Sequence, residues 1–104
     1  MEKELTAIEP VYLKDNIKLA RIFKALAHPA RISIMNLLAH RDICICNDIV
    51  KELPLAQSTV SQHLKELKEA GLIKGNITPP SVKYCINEEN WKIAVLLIEK
   101  FLRY

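Results

Sequence analysis

Gln57-Ser58-Thr59-Val60-Ser61-Gln62-His63-Leu64-Lys65-Glu66-Leu67-Lys68-Glu69-Ala70-Gly71 is the stretch that decides the fold. Val60, Leu64 and Leu67 recur at helical spacing and Gly71 stands where a left-handed cap belongs, so a helix is expected from Gln57 to Ala70. The rest of its surface is polar throughout. Just upstream, Pro54 ends another helix, and only Leu55 and Ala56 separate the two. That preceding helix is expected to be capped by Asn47 or Asp48, with Ile49, Val50 and Leu53 as its apolar face. Downstream, Leu72–Ile77 and Val82–Ile86 read as two strands joined by Thr78-Pro79-Pro80-Ser81, a turn rich in residues of restricted φ.

Working outward, Ile43-Cys44-Ile45-Cys46 alternates β-branched residues with cysteines, as a short strand would. Before it, a helix is expected from Pro29 to Ala39, with Ile32, Ile34, Met35, Leu37 and Leu38 covering enough of its circumference to make it central to the core. His28-Pro29 separates it from a first helix that starts between Pro10 and Asp15, because the residue before proline is pushed out of the α region. In that first helix Leu19, Ala20, Phe23, Leu26 and Ala27 form the expected apolar stripe. Residues 1–10 are charged, lack periodicity and are expected to be a loose arm. At the other end Asn87 is placed to cap a last helix, with Glu88 and Glu89 in its first turn, where the helix dipole favours negative charge.

The order is helix, helix, short strand, helix, helix, hairpin, helix. The expected fold is mainly α with a small β-hairpin: one winged helix-turn-helix domain spanning residues 1–104, dimeric, with 87–104 as the dimerisation helix. In such a motif the second helix of the pair enters the DNA major groove. Gln57, Ser58, Thr59, Ser61 and Gln62 are short donors and acceptors suited to base edges, and Lys65 suits phosphate. His63 has no second ligand four positions away on its face, so it too is assigned to phosphate or base contact rather than to metal. Lys74 and Lys83 give the hairpin two phosphate contacts.

Cys44 and Cys46 are one residue apart and share one side of a strand, with Ile43 and Ile45 on the other. If that strand pairs with the second hairpin strand, Cys85 joins the same face. Three thiolates from two strands make a soft trigonal sulfur site, suited to trivalent arsenic or antimony and open to cadmium, lead, or zinc with an added ligand. Two other readings stay open. The cysteines could be ordinary small hydrophobes, or a redox dithiol in which Cys85 pairs with Cys44 or Cys46.

The last helix places Trp91, Ile93, Ala94, Val95, Leu96, Leu97, Ile98, Phe101 and Leu102 nearly all around its axis. One small domain cannot cover every side of it, so a second subunit is expected there, with the first helix as its companion in a homodimer. Two-fold symmetry then offers two reading helices to a palindromic double-stranded operator.

Composition sets outer bounds. The 104 residues are 50% hydrophobic and 26% charged, globular proportions that suit one core. A net charge of +3 permits nucleic-acid binding without demanding it. No apolar run reaches membrane-spanning length and no secretory leader is recognisable, so no membrane partner and a cytoplasmic location are expected. No CxxC, glycine-rich loop, or nucleophile with a placed base argues for an enzyme, and no permanent cofactor is expected.

Three segments resemble the ArsR/SmtB family of metal-sensing repressors. They are Ala25-Leu26-Ala27-His28-Pro29-Ala30-Arg31-Ile32; Ser58 to Leu67 with Ala70-Gly71-Leu72-Ile73; and Ile43-Cys44-Ile45-Cys46-Asn47-Asp48. The last is similar to the metal box of the arsenic-responsive branch. That match gives Cys44 and Cys46 the role of thiolate ligands, and it implies repression without ligand and release of DNA on binding it. Many such boxes carry a further cysteine where this chain has Ile49, and Cys85 is the one thiol left. The arm lacks a cysteine and the last helix lacks a histidine, so the family's cadmium–lead and zinc ligand sets are absent. The family also contains persulfide sensors, which implies a thiol-redox alternative.

Overall fold

A computed structural model of the chain describes residues 10–41, 45–46, 53–76 and 83–103. The helix expected to carry Ile49 and Val50, the arm, Cys44 and the Thr78–Ser81 turn lie outside the described residues.

The described elements are α1 (Pro10–Leu26), α2 (Pro29–Arg41), β1 (Ile45–Cys46), α3 (Gln57–Glu69), β2 (Ile73–Asn76), β3 (Lys83–Ile86) and α4 (Glu88–Leu102). This is the mainly helical, winged helix-turn-helix architecture expected. Proline opens both α1 and α2, where its missing N–H costs nothing. Ala70 closes α3, and Gly71 follows at φ +79°, a left-handed conformation that glycine adopts without a Cβ penalty. Asn87 caps α4, its side chain accepting the N–H of Asn90 at 3.3 Å.

The three strands form one antiparallel sheet in the order β1-β3-β2, so the strand before the reading unit does pair with the second hairpin strand. Ile45 pairs with Tyr84 and Cys46 with Lys83; across the hairpin, Lys74 pairs with Cys85 and Gly75 with Tyr84. Gly75, at φ +153°, sits so close to β3 that a Cβ there would run into the Lys83 carbonyl oxygen.

The core gathers Ile34, Met35 and Leu38 of α2, Val60, Leu64 and Leu67 of α3, Leu72, Ile73, Tyr84, and Ala94 of α4. From α1 it takes Ile22 and Ala25. The expected α1 stripe is therefore rotated. Ala20 and Phe23 are exposed, because α1 meets the domain along Ile22 and Ala25 while the Phe23 side turns outward. On α4 only Ala94 is fully buried, with Trp91, Leu97 and Ile98 partly so.

Candidate nucleic-acid interface and thiol site

The 3.6-residue period of α3 sorts its side chains onto two faces. Val60, His63, Leu64 and Leu67 turn inward. Gln57, Ser58, Thr59, Gln62 and Lys65 are exposed and Ser61 is half-buried. Ser58, Ser61, Gln62, Lys65, Lys68 and Glu69 line an open groove of about 650 Å³ along the outer face. The N-cap residue of α3 is Ala56, which offers no side-chain cap, and the first turn holds no acidic residue. The cap residue thus supplies no acceptor to the leading N–H groups.

One polar contact on this outer face runs along α3 and another leaves it. Gln62 Nε2 donates to Glu66 Oε1 at 3.2 Å, and Lys68 Nζ reaches across to donate to the Gly75 carbonyl at 2.7 Å. The second couples α3 to the hairpin, whose Lys74 and Lys83 are both exposed.

His63 departs from the expected role. It is only 8% exposed and lies on the inner stripe, so it does not reach a base or a phosphate in this conformation. Its Nδ1 accepts from Arg31 Nε at 3.1 Å, and its ring tilts against that of His28 with centroids 4.2 Å apart. Burial, then the neighbouring His28 and Arg31 charges, push its pKa below 6.5, opposed only by Glu66. The sequence held the signal, since position 63 falls three after Val60 and four before Leu67, on the apolar stripe. Spacing alone does not join Arg31 to α3, so the sequence carries no signal for this contact.

On β3, Lys83 and Cys85 share the face opposite the buried Tyr84, and Lys74 is the cross-strand neighbour of Cys85. Cys85 is in a disulfide. Its partner sulfur lies outside the described side chains. Cys46 pairs through its backbone with Lys83, two residues from Cys85. Among the described residues no group of three His, Cys, Asp or Glu side chains is arranged to hold a metal; Cys44 and Cys46 contribute no described side chain. No described helix is long and apolar enough to cross a membrane.

A family model described as "Bacterial regulatory protein, arsR family" matches residues 28–74. Among curated relatives, an uncharacterised HTH-type transcriptional regulator, MJ1325, of Methanocaldococcus jannaschii is 37% identical over 84 residues, covering 80% of this chain and 93% of that protein. An arsenical resistance operon repressor of Staphylococcus xylosus is 31% identical over 72 residues, covering 69% of this chain and 68% of the relative. Among solved structures, reduced HlyU from Vibrio cholerae superposes with a TM-score of 0.67 at 26% identity, covering 89% of this chain and 97% of that one.

Proposed function

Since the chain belongs to the ArsR family of bacterial regulatory proteins, we propose that it is a homodimeric repressor released from a palindromic operator when a soft metalloid, trivalent arsenic or antimony, binds its thiolates. Cadmium, lead or zinc are weaker candidates for the same sulfur donors. The ligands are Cys44, Cys46 and Cys85 in their reduced form. The observation that carries the reading is the β1–β3 pairing, which lays the strand that ends at Cys46 against the strand that holds Cys85. Antiparallel pairing carried one residue beyond Ile45 and Tyr84 would set Cys44 across from Cys85. The arsenical-resistance relative adds weight to arsenic over other soft ions.

In the DNA-bound state the exposed face of α3 lies in the major groove. Gln57, Ser58, Thr59, Ser61 and Gln62 meet base edges, and the uncapped helix start and Lys65 meet phosphates. Lys74 and Lys83 bring the hairpin onto the backbone. Cys85 lies between these two lysines on the same sheet face, so a ligand gripping it rearranges the strand pair that presents them. A coupling of about 1 to 3 kcal/mol suffices for a usable switch. The dimer forms through α1 and α4, whose outward faces carry Ile17, Phe23, Ile93, Leu96, Phe101 and Leu102. An apolar area of that kind on one side of a small domain suits a second copy.

A second reading, thiol-redox or persulfide sensing, is favoured by the disulfide that holds Cys85. Two thiols closing a disulfide release two protons and two electrons, which a peroxide accepts in becoming two waters. The two readings separate by titrating duplex DNA against the reduced chain, followed by fluorescence anisotropy, with arsenite, antimonite, cadmium, zinc, peroxide or a persulfide donor added singly. Release by arsenite or antimonite, lost in Cys44→Ser and Cys46→Ser, is the expected result. Release by peroxide or persulfide alone transfers the function to the redox reading, and release of the Ser variants by arsenite would remove the thiolate site.

A further inference from the structure

Arg31 sits in the first turn of α2 and reaches two other helices. Its Nη1 donates to the carbonyls of Lys24 and Ala25, both at 3.2 Å, in the last turn of α1, where the Lys24 carbonyl also accepts the Ala27 N–H at 3.3 Å. Its Nε donates to His63 Nδ1 on α3 at 3.1 Å. One planar guanidinium thus joins the corner between α1 and α2 to the inner face of the reading helix.

We propose that Arg31 is a positioning residue for DNA recognition, holding α3 in its reading pose through the unprotonated Nδ1 of His63, so that protonation of His63 loosens that pose. The proposal rests on α3 being the DNA-reading helix.

The chemistry demands a neutral imidazole. Arg31 is a donor only, so the bond requires a lone pair on Nδ1 and places the ring proton on Nε2. His28 is held alike, its Nδ1 accepting the N–H of Ala30 at 3.0 Å, and its ring rests on His63. The groups facing His63 are His28 and Arg31 from the start of α2 and Glu66 from α3 itself; α1 contributes the Lys24 and Ala25 carbonyls that anchor Arg31. A proton on His63 would set two cations nose to nose beside the positive end of the α2 dipole, with Glu66 the one opposing charge. The Arg31 contact then turns from attraction to repulsion, and α3 shifts against α2. His40, exposed and bonded to the Asn36 carbonyl on the far end of α2, belongs to none of this.

The test uses a duplex selected from a randomised pool by the wild-type chain, titrated between about pH 5 and 8. Variants are His63→Asn, whose side-chain oxygen stands near the Nδ1 position and accepts at any pH, Arg31→Lys, and His40→Gln as the control. Wild type and His40→Gln should lose about tenfold in affinity on acidification, while His63→Asn stays flat. Arg31→Lys, without the planar fork, should bind about tenfold more weakly even at the alkaline end. A His63→Asn curve that follows wild type, or an Arg31→Lys variant that binds as wild type does, would overturn the proposal and leave the recognition reading standing. If His63→Asn does not fold by circular dichroism, the ring nitrogen shifts of wild type decide. An Nε2–H tautomer at neutral pH supports the contact, and an Nδ1–H tautomer removes it. Wild type failing to bind any duplex would overturn the recognition reading, and this inference with it.

Discussion

Asn90 Nδ2 donates to the Gly71 carbonyl oxygen at 2.9 Å, tying the first turn of α4 to the turn that ends α3. A Cβ at position 71 would lie 2.9 Å from that same Nδ2, and the backbone there is left-handed. Gly71→Ala should therefore lose about 1 to 2 kcal/mol in urea unfolding, more than Asn90→Ala, which leaves an exposed carbonyl to water and should lose about 0.5 kcal/mol. Equal losses would show that the hydrogen bond, not the backbone, dominates.

Gly75→Ala faces a harder obstacle, because the obstructing atom is the backbone oxygen of Lys83 rather than a mobile side-chain end. The strands must part locally, and the Lys68 contact to the Gly75 carbonyl goes with them. DNA affinity should fall more than for Gly71→Ala, since the wing carries Lys74 and Lys83. Anisotropy titration of both variants on one duplex makes the comparison.

Leu67 is fully buried on the inner face of α3, near the end of the helix. Leu67→Ala should cost about 2 to 5 kcal/mol, seen as a lower urea midpoint with little change in slope.

Leu96 is 66% exposed on α4, and Phe23 meets Phe101 edge to face at 5.6 Å, joining α1 to α4 on the outward side. Leu96→Glu should shift sedimentation from dimer to monomer mass while leaving helical circular dichroism intact, and DNA affinity should drop with the loss of paired half-sites. A variant that sediments as wild type would place the subunit contact elsewhere.

Stability should respond to pH at both ends. His63 has a pKa below its ordinary 6.5 in the folded chain, so its contribution is complete above pH 6.5 and is lost as pH falls through the folded value. Burial pushes the Tyr84 hydroxyl above its ordinary 10.0, so its contribution is complete below pH 10.0 and is lost as pH rises through the folded value. Urea midpoints measured across pH should show an acid limb that flattens in His63→Asn and an alkaline limb that flattens in Tyr84→Phe.

The sequence by itself determined what is local. Pro10, Pro29 and Asn87 mark helix starts, Gly71 marks a helix end, and the stripe of Val60, Leu64 and Leu67 orients α3, because backbone restriction and side-chain period act over a few residues. The same period foretold an α4 too apolar for one domain to cover. Tertiary structure alone decided what joins distant positions. Arg31 and His63 are 32 residues apart, and only the crossing of α2 with α3 turns one into the other's donor. Likewise Ile22 and Ala25, not Phe23, face the core, because the angle at which α1 docks selects among neighbouring apolar stripes. Cys46 comes to lie beside Lys83 for a related reason: the β1–β3 pairing closes a gap of about forty residues, and strand pairing is a long-range contact that composition and period do not encode.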